Sequence, residues 1–296
     1  MNEHEALVDR AVGTVGSVAL VGALDAGKST LARQLLMAAL AAGKTGALVD
    51  ADVSHKTVGP PTTVTLKMVR SPSDLDPPAV EKPDLMYFAG STSPQGHLLP
   101  IVSGAGRLVG RARELGADFI VMDTSGLVSG VYGQLLKYHK FELTRPDMVV
   151  GLKRGEELAP LLGVVQRFFP AQVVALDIHP DVRPVSVDER VARREQVMQE
   201  YFSEPLQRWR VKPTVFMPAL PPLFDLSQLD RVLVGLSDGD GAYLGLGYLE
   251  RAEDEGVLRL VSPVAEAPKA LRLGSVRLDE NLGARRVDLR SLFGTD

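Results

Sequence analysis

At 296 residues, 45% of them apolar and 24% charged, the chain is sized for one globular domain of ordinary size plus a small appendage, and is too apolar for a disordered polymer. A formal net charge of −4 gives no global attraction to nucleic acid, so any such contact needs a local basic patch. With no cysteine, disulfides, thiolate zinc sites and cysteine nucleophiles are all excluded.

The N-terminal stretch MNEHEALVDRAVG is polar and acidic and lacks the basic and apolar regions of a signal peptide. No later apolar run approaches membrane-spanning length, and a cytoplasmic protein is expected. Ser17–Gly22 reads as a short buried strand ending in glycine, and Lys28 to Ala42 carries leucine and alanine at helical spacing. Gly46 to Asp52 is a second buried strand with an acidic end. A helix over Arg107 to Leu115 precedes a third strand, Asp118 to Gly126. Met148 to Leu152 and Gln172 to Asp177 continue the strands, with helices over Val131 to Lys140 and Glu156 to Phe168 between them. This alternation predicts an α/β fold, a P-loop NTPase parallel sheet with helices on both faces. After a charged helical stretch, Val187 to Phe202, prolines punctuate Arg210 to Phe224. Short strand-like runs separated by Asp-Gly and Glu-Gly turns follow. The expected division is a P-loop domain over 1–211 and a small β-rich domain over 212–296.

Between the first strand and helix lies GALDAGKST, Gly22-Ala23-Leu24-Asp25-Ala26-Gly27-Lys28-Ser29-Thr30, which meets the spacing G-x-x-x-x-G-K-[ST]. Its glycines let backbone N–H groups turn toward phosphates, Lys28 reaches the β/γ-phosphates, and Ser29 offers a hydroxyl to Mg²⁺. Asp50 and Asp52 end the second strand and Asp123 the third. Ligands of an open parallel sheet sit at the carboxyl ends of strands, so one of these should hold the metal, with Asp50 and Asp123 as candidates beside Ser29. Another can take a proton from a hydroxyl. No N-K-x-D box for guanine is present, so ATP is preferred over GTP. Arg190, Arg193 and Arg194 share one face of a helix, either as a lid bringing guanidinium groups to a transferring phosphoryl or as a solvated face paired with Asp188, Glu189 and Glu195.

Taken in order, GALDAGKST, VDADVSHKTVGPPTTVTL (Val49 to Leu66), YFAGSTSPQGH (Tyr87 to His97) and VMDTSGLVSG (Val121 to Gly130) resemble the Clp/Grc-type polynucleotide 5′-hydroxyl kinases. The resemblance is in particular to their compact archaeal-like form, which lacks an extra N-terminal β-domain. RPDMVVGLKRGEEL, EQVMQEYF, YLGLGYLE and LRLGSVRL extend the likeness over nearly the whole chain.

The resemblance implies transfer of the ATP γ-phosphoryl to the 5′-hydroxyl of RNA or DNA. It places Lys28, Ser29 and Thr30 in the Walker A loop, Asp52 as the carboxylate that activates the hydroxyl, and Thr124, Ser125 and Gly126 near the metal and acceptor. Arg190, Arg193 and Arg194 become the lid. Where many members have D-x-D-x-G-Q this chain has Asp50-Ala51-Asp52-Val53-Ser54-His55, and His55 can hydrogen-bond as glutamine would. Leu127 stands where eukaryotic members carry tryptophan after T-x-G, which removes an aromatic face for stacking. His97 either touches substrate or orders its loop. Two other classes use the same loop: a non-catalytic ATP-binding scaffold subunit of a nucleic-acid processing complex, and a regulatory ATPase or GTPase.

Overall fold

A computed structural model describes residues 3–203, 205–252 and 257–294. In chain order the elements are α1 (Glu3–Thr14), β1 (Ser17–Gly22), α2 (Lys28–Ala41), β2 (Gly46–Ala51), β3 (Thr63–Val69), β4 (Leu85–Phe88), α3 (Leu98–Glu114), β5 (Phe119–Thr124), α4 (Gly130–Thr144), β6 (Met148–Lys153), α5 (Ala159–Phe168) and β7 (Gln172–Asp177). They continue as α6 (Val187–Tyr201), β8 (Gln207–Val211), β9 (Phe216–Met217), β10 (Val232–Ser237), β11 (Tyr243–Ala252), β12 (Val257–Ser262), β13 (Ala270–Leu278), β14 (Ala284–Arg286) and α7 (Leu289–Phe293). Among the described residues no helix is long and apolar enough to cross a membrane.

The chain forms two compact units, the first made of Met1–Gly59, Val64–Leu85 and Pro94–Ser186. Its sheet runs β2-β5-β1-β6-β7 with all neighbours parallel, and β3 joins β2 antiparallel. β5 lies between β1 and β2, and Asp123 is in register with Leu20 on one side and Asp50 on the other. The central strands β1 and β5 are buried on both faces, which is why SVALVG and FIVMDT read as continuous apolar runs rather than alternating ones. α1 was hidden by its polar composition. Leu7, Val8, Ala11 and Val12 nevertheless form a helical stripe, buried with Leu31, Leu35 and Leu36 of α2 and with Val18, Leu20, Phe119 and Val121 of the sheet. Each fully buried side chain of this size contributes about 1.5–3 kcal/mol, which holds α2 and therefore the loop before it against the sheet.

The second unit comprises Val187–Asp296 with two short segments, Pro60–Thr63 and Met86–Ser93. Its boundary falls before α6 rather than at 211/212, because Met198 of α6 and the adjoining Phe202 are buried with Leu233, Leu246, Tyr248 and Val276 of the β-rich part. β13, β10, β11, β12 and β8 pair antiparallel in that order, β14 pairs antiparallel with β13, and β9 adds to β13 in parallel. Val232, Val234 and Leu236 of β10 enter one apolar cluster while Leu233 enters the other, so both faces of the strand are covered. The Asp-Gly turn joins β10 to β11, closed by Asp238 N donating to the Ala242 carbonyl at 3.3 Å. The Glu255-Gly256 turn lies outside the described residues.

Candidate active site

The phosphate loop leaves β1 at Gly22 and enters α2 at Lys28. Gly27 caps the helix at φ 86°, a left-handed conformation that a side chain would strain. The Lys28 ammonium donates to the carbonyls of Gly22 at 3.0 Å and Ala23 at 2.8 Å, so it sits over the loop. The loop is braced from the segments after β6 and β7: the Asp25 carbonyl accepts from Arg154 Nη2 at 3.0 Å, and its carboxylate accepts from Val185 N at 3.0 Å.

At the carboxyl ends of β2 and β5, Asp50, Asp52 and Asp123 are all buried. Ser29 Oγ donates to Asp123 Oδ2 at 2.6 Å. A hydroxyl and a carboxylate side by side are hard oxygen donors of the kind Mg²⁺ takes from a protein when phosphates supply the rest, so this pair fits the ion. Burial, together with the charges of Asp50 and Asp52, pushes the Asp123 carboxyl up to about 6 against the opposing Lys28 and Ser29. Replacing Asp123 with Asn removes that charge while keeping one oxygen. A Mg²⁺ titration of turnover by Asp123→Asn is expected to shift to concentrations about 10- to 100-fold higher than wild type; an unshifted curve removes Asp123 from the metal site.

Asp50, expected as a second metal candidate, is committed elsewhere. Its Oδ2 accepts from the amides of Thr57 at 2.8 Å and Val58 at 3.0 Å. Its Oδ1 accepts from Asp52 N at 3.1 Å and pairs with Lys56 Nζ at 3.0 Å. The carboxylate thus organises the turn after β2, and Lys56, lowered by burial against the pull of Asp50, is its counter-ion. Asp52 differs. Among the described residues hydrogen bonds reach only its Oδ1, from the amides of Ser54 at 2.8 Å and His55 at 3.1 Å, which aims the carboxylate and leaves Oδ2 clear.

Beyond Asp123 the chain turns against the phosphate loop. A side chain at Gly126 would place its Cβ 2.8 Å from Leu24 N, so only glycine allows this close approach. Thr124 is fully buried and its hydroxyl donates to the Leu20 carbonyl at 2.7 Å. Ser125 is held from α4, where Lys137 Nζ donates to its carbonyl at 2.7 Å and contacts its Oγ at 3.3 Å. His97 precedes α3 as its cap residue, with Nδ1 3.3 Å from the Gln95 carbonyl.

Lys56, Lys137 and Lys140 were missed in the sequence, where lysine reads as surface. All three are buried, the last two completely. Burial drives Lys137 well below the usual lysine range, with Lys140 and Lys28 adding to the effect, and brings Lys140 down to about 8 against the opposing fields of Asp52, Asp123 and Asp50. The only sequence signal was their spacing of three within the apolar pattern around Leu136 and Phe141. Arg190, Arg193 and Arg194 lie on α6, as expected, within the second unit, Arg193 exposed and the other two half-buried.

Curated relatives of similar sequence include the polyribonucleotide 5′-hydroxyl-kinase of Methanocaldococcus jannaschii, 27% identical over 89% of this chain and 87% of its own length. The enzyme of that name from Thermococcus kodakarensis is 29% identical over 91% of each chain. Among solved structures, a chain of the wild-type Clp1p–Pcf11p complex has a like fold, with a TM-score of 0.72 at 14% identity, covering 93% of this chain and 80% of the other. Residues 22–204, from the first glycine of the phosphate loop to three positions past the end of α6, match the family described as the mRNA cleavage and polyadenylation factor CLP1 P-loop, and the chain belongs to that family.

Proposed function

We propose that this protein is an ATP-dependent polynucleotide 5′-hydroxyl kinase, acting on RNA as the names of its archaeal relatives say of them. The observation that carries the reading is Asp52: beside the Lys28 and Ser29–Asp123 apparatus for a nucleotide, the neighbouring strand supplies a second carboxylate with one oxygen clear for a hydroxyl. A scaffold that only held ATP would have no use for it.

In this reading Lys28 moves from the loop carbonyls to the β/γ-phosphates, and the backbone amides from Gly22 to Lys28 cradle them. Mg²⁺, held by Ser29 and Asp123, supplies charge neutralisation at the phosphate oxygens when bound. The 5′-hydroxyl oxygen attacks the γ-phosphorus in line as its proton passes to Asp52 Oδ2. The bond from the γ-phosphorus to the bridging oxygen breaks, and ADP leaves with that electron pair. The turn at Ser125 and Gly126, pinned by Lys137 and lying against Leu24, borders the acceptor.

ADP formation tests the reading against its rivals. It is expected only when a 5′-hydroxyl oligonucleotide is present; equal ADP without acceptor identifies a regulatory ATPase, and ATP binding without ADP a scaffold.

Arg190, Arg193 and Arg194 serve as the lid. Their charge acts on a phosphoryl whose negative charge is redistributed in the transition state, so alanine at each should lower kcat more than it raises the ATP KM. A loss of roughly tenfold per single substitution is expected, redundancy keeping it below that for a lone donor. Wild-type kcat in the triple variant would return these side chains to a solvated face.

A further inference from the structure

Lysine is rarely buried completely, because stripping water from an ammonium is costly unless a partner compensates. The first unit buries four around the ends of β2 and β5, against three carboxylates. Lys56 has its ion pair with Asp50, Lys28 has the loop carbonyls, and Lys137 holds Ser125. Lys140 has none of these. It is fully buried on α4, and among the described residues it forms no direct ion pair; its one hydrogen bond is to the Ala51 carbonyl, long at 3.4 Å. Ala51 is the residue between Asp50 and Asp52, and the carboxylate that acts most strongly on Lys140 is Asp52, ahead of Asp123 and Asp50.

A lysine retained only for packing would be better replaced by an apolar side chain of its own length. A charge set one step behind a carboxylate, not in contact with it, has a different use. It draws the carboxylate without occupying the oxygen that must meet a hydroxyl. Both hydrogen bonds to Asp52 fall on Oδ1, so the charge of Lys140, acting beside that of Lys56, biases the carboxylate while leaving Oδ2 unbonded.

We propose that Lys140 is a positioning residue for phosphoryl transfer, holding the Ala51–Asp52 strand end through the Ala51 carbonyl and through its charge, so that Asp52 Oδ2 is presented to the acceptor hydroxyl. This rests on the reading of Asp52 as the base. It assigns no contact with ATP to Lys140, and so separates kcat from ATP binding.

The test measures full-length Lys140→Met and Lys140→Gln beside wild type, with 5′-hydroxyl oligonucleotide and MgATP. Met keeps the length without the charge, and Gln keeps a donor for the Ala51 carbonyl without the charge. Both are expected to lose about tenfold or more in kcat, with the ATP KM within about twofold of wild type and the melting temperature of Lys140→Met not lowered. Introduced into Asp52→Asn, Lys140→Met should change the residual rate by less than about twofold, because its route to the reaction is already gone. Wild-type kcat in either variant overturns the proposal, as does a loss fully additive with Asp52→Asn, or one that tracks a fall in melting temperature or a matching rise in ATP KM. An inactive wild type would instead remove the kinase reading beneath it.

Discussion

Lys28→Ala is expected to abolish measurable turnover, with a loss of at least about 10²-fold in kcat, and to weaken ATP binding, while the protein stays folded. Lys28 is the motif-placed side chain for the β/γ-phosphates, and it is already gathered over the loop by the Gly22 and Ala23 carbonyls. Its removal opens no large hole in the core, because its ammonium bonds carbonyls of a surface loop rather than filling the apolar cluster beneath α2. Circular dichroism and a thermal melt near the wild-type values, alongside lost activity, are the expected pair of observations. Unchanged turnover would take Gly22 to Thr30 out of the site.

Asp52→Asn should behave differently. Asn keeps the size of the side chain and an oxygen to accept from the Ser54 and His55 amides, so the strand end should keep its form. What it cannot do is take up the hydroxyl proton. MgATP binding is therefore expected to survive while kcat falls on the order of a hundredfold or more, the usual scale for losing a general base. Isothermal titration with a non-hydrolysable ATP analogue, set beside single-turnover transfer, separates the two quantities. Normal transfer by Asp52→Asn across the pH range, with Asp123→Asn inactive at saturating Mg²⁺, would exchange the roles of the two aspartates.

The parts of this site that were legible in the sequence are those whose chemistry is local. Gly22, Gly27, Lys28 and Ser29 lie within one strand-loop-helix, and the spacing alone demands the loop conformation that Gly27 adopts. Asp123 was readable as the end of an apolar run, and its partner Ser29 followed from the metal's need for oxygen. The family resemblance set Asp52 apart as the base, but residue type and spacing alone did not say which of Asp50 and Asp52 is neutralised. Both aspartates end the same strand, and only the turn that carries Lys56 back beside Asp50 decides which is neutralised.

The antiparallel β3 was obscured by the prolines before it and by the absence of a helix between it and β2, which breaks the alternating pattern. The end of the first unit was misread for a related reason. α6 is mostly charged, and its single fully buried contact, Met198, reaches residues more than thirty positions further on, from Leu233 to Val276. Lys137 and Lys140 belong to the same class of omission. Their type announces solvent, and only the packing of α4 beside the strand ends makes them interior.

The most direct test of the central claim is the fate of the γ-phosphoryl group. The wild-type protein is incubated with γ-labelled ATP, Mg²⁺ and a pair of otherwise identical oligoribonucleotides, one ending in a 5′-hydroxyl and the other in a 5′-phosphate. The account predicts label on the 5′-hydroxyl strand, removable by a phosphatase, with none on the 5′-phosphate strand and no more free phosphate than a no-enzyme control. Label released only as free phosphate, or none transferred to the 5′-hydroxyl strand while ATP binds, would contradict it.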